Sequence, residues 1–113
     1  MKEAVHSFIL AANQLEHILP LIRQADFHVA ISTHHETVKL AINHGTIEIS
    51  DDLAPGYTIN GSNAGIHRLI SGEAKLRTLQ REGVLKVEAP LRIVLLLEAL
   101  FVLASTQNFA KIS

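Results

Sequence analysis

Val38-Lys39-Leu40-Ala41-Ile42-Asn43-His44-Gly45-Thr46-Ile47-Glu48-Ile49 carries two alternating runs separated by a tight break. A period of two puts Val38, Leu40 and Ile42 on one face of a first strand, and Ile47 and Ile49 on one face of a second. Asn43-His44-Gly45 is short enough to make these strands antiparallel neighbours, with glycine free to take the left-handed position of the turn. A lone two-stranded hairpin with one greasy face is marginal in water, so the rest of the chain must cover it.

Working outward, Phe27, Val29 and Ile31 alternate with His28, Ala30 and Ser32 and read as a third half-buried strand. A fourth short strand is expected from Tyr57 to Asn60, beyond a loop carrying Asp51-Asp52 and Pro55-Gly56. Val84-Leu85-Lys86-Val87-Glu88 reads as a fifth, with Leu85 and Val87 inward. The flanking regions switch to a helical period. Val5, Phe8, Ile9, Ala12, Leu15, Leu19 and Ile22 form a stripe, with His6, Asn13, Glu16, His17 and Arg23 on much of the remaining surface. Pro20 should end this helix near Ile18 or open a short second one. Further on, Ser62 is a candidate N-cap ahead of Ile66, Leu69 and Ile70, and Gly72 is the stop. A short helix from Glu73 to Glu82 is broken by Gly83, and Pro90 opens a last helix running to about Ser105, followed by a loosely held tail.

Strands with one apolar face need cover on one side only. The expected fold is therefore α+β: a two-layer sandwich of a roughly five-stranded, mainly antiparallel sheet with helices packed on one face. At 113 residues, positions 1–113 fit a single domain.

The last helix carries the functional question. Leu91 to Ala104 is apolar nearly all the way round, interrupted by Arg92 and Glu98, which do not share a face. A surface helix needs one apolar stripe, so this one must be covered on most sides. A central core helix, a lipid-lined cavity and a dimer interface all satisfy that pattern. Leaving its leucines in water would cost about 1.5–3 kcal/mol each.

The order of elements and their punctuation resemble the sterol carrier protein type-two family, the small non-specific lipid-transfer fold. The similarity rests on the hairpin from Val38 to Ile49, on Ile66-His67-Arg68-Leu69-Ile70-Ser71-Gly72, on Gly83-Val84-Leu85-Lys86-Val87, and on the helix containing Leu95-Leu96-Leu97-Glu98-Ala99-Leu100-Phe101. Glu88-Ala89-Pro90 replaces the Gly-acidic turn frequent in that family, and Lys111-Ile112-Ser113 is not a Ser-Lys-Leu-type peroxisomal address. The resemblance implies a ligand between sheet and helices, against the last helix, of the fatty acyl, phospholipid or sterol class. Ile66, Leu69, Leu76, Leu79, Leu96, Leu100, Phe101 and Leu103 are then the expected ligand-lining residues.

Composition narrows the alternatives. Forty-eight per cent of residues are hydrophobic and 4% aromatic, with mean hydropathy +0.25, so the excess is aliphatic and suits an alkyl ligand better than stacked bases. Ten basic and eleven acidic residues nearly cancel, which argues against a nucleic-acid partner. With no cysteine, there is no disulfide framework or thiolate metal site, and a reducing, cytoplasmic setting is expected. The start, Met1-Lys2-Glu3-Ala4-Val5-His6-Ser7-Phe8, lacks signal-peptide character, and the greasiest stretch is too short for an integral membrane segment.

The groups able to react do not form a recognisable catalytic or metal-binding pattern. Seven histidines occur, but there is no HExxH pattern, and His34-His35-Glu36 sits at a turn where side chains diverge. Gly61-Ser62-Asn63-Ala64-Gly65 misses the nucleophile-elbow spacing by one residue and is explained as a glycine-flanked helix cap. Asp51-Asp52 reads as a solvated turn, and Glu98 as a residue at a helix edge. The expectation is a non-enzymatic carrier of an apolar ligand, with no catalytic residue, metal or cofactor. The alternative is an accessory or oligomerisation module, such as a homodimer, that uses the last helix as a protein–protein interface.

Overall fold

The computed structural model of the chain describes residues 2–14, 19–43, 45–50 and 56–112. Leu15, His17, His44, Asp51-Asp52 and Pro55 lie outside the described residues. In chain order the elements are α1 (Lys2–Asn13), α2 (Leu19–Ile22), β1 (Asp26–Ser32), β2 (Thr37–Asn43), β3 (Thr46–Ile49), β4 (Tyr57–Gly61), α3 (Asn63–Ile70), α4 (Leu76–Arg81), β5 (Leu85–Glu88) and α5 (Leu91–Ile112).

The five strands form one sheet in the order β3-β2-β1-β4-β5. The hairpin read from sequence is present, with Ile42 opposite Ile47 and Gly45 at φ 85°, a conformation other residues adopt only with strain. β1 lies centrally, antiparallel to β2 with Val29 opposite Leu40, and parallel to β4 with Val29 opposite Tyr57. The sheet is therefore mainly antiparallel with one parallel pair. Because β1 and β4 run the same way, Phe27 and Tyr57 lie at one end of the sheet, and Ser32 and Asn60 at the other.

On the helix-covered face, Val29, Ile31, Leu40, Ile42, Ile47 and Ile59 are each 1% exposed or less. They join Val5, Phe8, Leu69, Leu97 and Leu100 of the helices in one continuous core. Each such side chain contributes about 1.5–3 kcal/mol of transfer free energy. Phe8 and Phe101 bind α1 to α5, with ring centroids 4.7 Å apart. On the opposite face, His28, Lys39, Thr58 and Asn60 are half-buried, while the small Ala30 and Ala41 are covered by their neighbours.

Ser62 caps α3 as expected, its hydroxyl accepting from the Gly65 amide at 3.0 Å. Gly61 and Gly65 have a further role. A Cβ on Gly61 would strike the Leu85 side chain and lie 3.0 Å from the Val84 carbonyl, and one on Gly65 would lie 2.6 Å from Val84 Cγ1. This pentad is a helix cap pressed against β5.

Two boundaries differ from the sequence expectation. α1 ends at Asn13, five residues short of Ile18. The Asn13 amide accepts from Ile47 N at 3.2 Å and donates to Ile47 O at 3.0 Å, fastening the helix end to the edge strand β3. α5 runs to Ile112, past the expected stop near Ser105. Ser105 to Ile112 contains neither glycine nor proline, so no backbone signal ends the helix there.

Candidate functional site

At the Phe27–Tyr57 end of the sheet the layers part, leaving an open pocket of about 700 Å³. Pro20 is the second residue of the single turn of α2, whose last residue, Ile22, is fully buried. The Ile22 carbonyl accepts from Ala25 N at 3.1 Å and from Gly45 N at 3.2 Å, tying the turn to the β2–β3 hairpin. That closure turns Arg23 and Gln24 outward and starts β1 at Asp26. On the other side, the Pro90 carbonyl accepts from both Ile93 N and Val94 N at 3.0 Å and begins α5. Ile93 and Val94 face the core, so Leu91, Arg92 and Leu95 face water.

The pocket is amphipathic. Its sheltered part is made of Phe27, Tyr57, Ile93 and Leu96, all buried or half-buried. Phe27 and Tyr57 form a wall with centroids 5.9 Å apart and planes inclined by 59°. Its rim carries the exposed side chains of Arg23, Asp26 and Arg92. The size falls within the range of small-molecule sites, and the lining is more polar than is usual for them. A smaller pocket of about 350 Å³ lies between α1 and α3 beside Ala4, Ile66 and His67. A polar groove of about 410 Å³ lies at the opposite end of the sheet, beside Thr33, Asn60 and Lys86.

Of the eight residues expected to line a ligand, Ile66, Leu69, Leu76, Leu79, Leu100 and Phe101 are 0–2% exposed and fill the space between helices and sheet. Leu96 and Leu103 are half-buried against that core. Leu96 lines the large pocket and Ile66 the smaller one. Sequence reasoning missed Phe27, Tyr57, Ile93 and the two arginines of the large pocket. The one available signal was that Phe27 and Tyr57 are two of only five aromatic residues in the chain.

Other candidate groups stay apart. His6, His34, His35 and His67 are exposed and His28 is half-buried. Among the described residues, no three His, Asp or Glu side chains converge to hold a metal ion. Glu98 is half-buried rather than freely exposed at the helix edge, and its Oε2 is buried without a hydrogen-bond partner among the described residues. Among the described residues no helix is long and apolar enough to cross a membrane.

No family model matches the sequence, and no curated protein matches it. Solved structures do. A "UbiJ-SCP2 Ubiquinone synthesis protein" superposes with a TM-score of 0.69 at 16% identity, covering 84% of this chain and 86% of that one. A crystal structure of sterol carrier protein 2 gives 0.68 at 12% identity, covering 91% and 94%. Palmitated SCP2L2 from Aedes aegypti gives 0.63 at 6% identity, covering 87% and 90%. Matches that cover most of both chains at TM-scores of 0.63–0.69 make the fold of this chain that of the sterol carrier protein type-two domain.

Proposed function

We propose that this chain is a non-enzymatic carrier of an apolar ligand, of the fatty acyl, lipid or sterol-like class, working in the reducing cytoplasm. The observation that carries the reading is the pocket at the Phe27–Tyr57 end. It is about 700 Å³ in volume, with Phe27, Tyr57, Ile93 and Leu96 on one side and the polar Arg23, Gln24, Asp26 and Arg92 on the other, and it is bordered by a helix that leaves Leu91 and Leu95 exposed. The similar structures named for sterol carriage, and the palmitated one, support the same class of ligand. The ligand's apolar part lies along Leu96 and Ile93 against the Phe27–Tyr57 wall. The six fully packed residues between helices and sheet hold that wall in place. Carriage asks nothing more of the site, since binding and release need no reacting group.

The test is native mass spectrometry of freshly purified protein, followed by titration with alkyl probes of increasing chain length. Co-purified lipid is expected. Probe affinity should rise about three- to fourfold per methylene until the pocket is full. Clean spectra together with an absence of probe binding would overturn the reading.

A further inference from the structure

We infer that the Asn13 amide is an edge guard: it occupies the strand-pairing groups of Ile47 and so keeps β3 from joining the β3 of a second copy of the chain. β3 stands at one end of the sheet order, so one row of its backbone groups has no strand to meet. Asn13 Nδ2 donates to the Ile47 carbonyl at 3.0 Å, and the Ile47 amide donates to Asn13 Oδ1 at 3.2 Å. A side-chain amide carries the same donor and acceptor as a peptide group. Asn13 therefore takes the place that one residue of a neighbouring strand would take. The two bonds also show that Ile47 points its backbone groups away from β2, and the period of two gives Ile49 the same outward direction. Just before the strand, the Ile22 carbonyl accepts from the Gly45 amide at 3.2 Å. Segments that precede the sheet thus answer both Gly45 and Ile47.

Stability alone does not account for the contact. Asn13 is exposed, and water can replace hydrogen bonds there at little net loss. What the amide changes is whether another strand finds the edge open. The strand itself selects a second copy as the occupant. Two β3 strands related by a two-fold axis at Glu48 run antiparallel, and Ile47 of each exchanges both backbone bonds with Ile49 of the other. Ile47 and Ile49 of both copies then stay on the helix-covered face, where they already pack. On the opposite face the exposed Glu48 meets its own counterpart, and like charges directly opposite oppose pairing. The edge is therefore guarded twice, by the Asn13 amide and by the Glu48 charge. The pocket takes no part, so the inference stands apart from the carrier reading.

Two measurements test it. In the unaltered protein, amide hydrogen exchange followed by NMR should find Ile47 at least about tenfold slower than Ile49, although both amides face out from the same edge. Equal rates would overturn the inference, and this arm needs no substitution to fold. In sedimentation velocity, Asn13→Ala should form a dimer at concentrations where the unaltered chain does not associate. Asn13→Ala with Ile49→Pro should be a monomer again, because proline lacks the outward donor and is tolerated on an edge strand.

A contact that only fastened α1 would lower the unfolding midpoint of Asn13→Ala and leave it monomeric, which would also overturn the inference. Charge at position 48 reads the register. Asn13→Ala mixed with the double variant Asn13→Ala, Glu48→Lys should pair about fivefold more tightly than Asn13→Ala pairs with itself, the size of one favourable cross-strand pair. Mixed and matched pairs of equal affinity would show that another surface joins the copies, and the edge guard would fall with that result.

Discussion

The two ends of the sheet are built differently. At the Gly61–Val84 end, two glycines let α3 and β5 approach so closely that a single methyl group on Gly61 has no room. At the Phe27–Tyr57 end, the chain spaces its layers with two aromatic rings and leaves about 700 Å³ open between them and the first turns of α5. Both ends belong to the same strands, β1 and β4, running in parallel. On this contrast, close packing at one end would fix the register that leaves the other end open. A pocket in a small domain can stay open when the stabilising contacts are concentrated elsewhere.

The largest effect should come from the packed region between the ends. Leu79 is fully buried in the core. Leu79→Ala should cost about 2–5 kcal/mol, through lost transfer energy plus a cavity that collapses incompletely. Urea unfolding measures the loss, and the remaining folded protein should bind alkyl probes with unchanged affinity. If the substitution instead proves mild and changes binding, Leu79 lines ligand space, and the contrast between packed centre and open end is misplaced.

Gly61→Ala tests the tight end directly. The new methyl group meets the Leu85 side chain and the Val84 carbonyl, and backbone cannot swing aside as a side-chain tip can. The expected cost is about 1–3 kcal/mol, as for other overpacked sites, read as a lower thermal midpoint. A neutral result would mean that β5 can slide away from α3, and that this end does not set the register.

How much of this was legible in the sequence depends on the distance over which each feature is encoded. The Val38–Ile49 hairpin follows from a period of two and one glycine, all within a dozen residues. Ser62 as a cap follows from its place before a helical stripe, and the structure repeats it in a 3.0 Å bond to Gly65. The Asn13 amide reaches Ile47, thirty-four residues away, and on a helical wheel it is simply one more polar residue. Gly61 read only as one flank of a helix cap, because the crowding that requires it comes from Val84 and Leu85. The pocket was the least legible feature. Phe27, Tyr57 and Leu96 come together only through the parallel pairing of β1 with β4, and no local pattern announces a parallel neighbour. The apolar surplus of α5 was legible; the side on which it stays uncovered was not.

The smallest expected change in stability is also the one that separates the two ends most sharply. Ala25 is half-buried and lines the open pocket, and its amide closes the turn onto Ile22. Ala25→Leu keeps that backbone bond and adds apolar bulk where space already exists. Stability should therefore move by no more than about 0.5 kcal/mol, the range of substitutions that neither create voids nor force overlap. The added side chain occupies volume that the ligand would use, so alkyl-probe affinity should fall about tenfold or more, a loss near 1.4 kcal/mol. One urea titration and one probe titration on the same sample decide the matter. A cost like that of Gly61→Ala would show both ends to be packed alike, and an open pocket could no longer be part of the explanation.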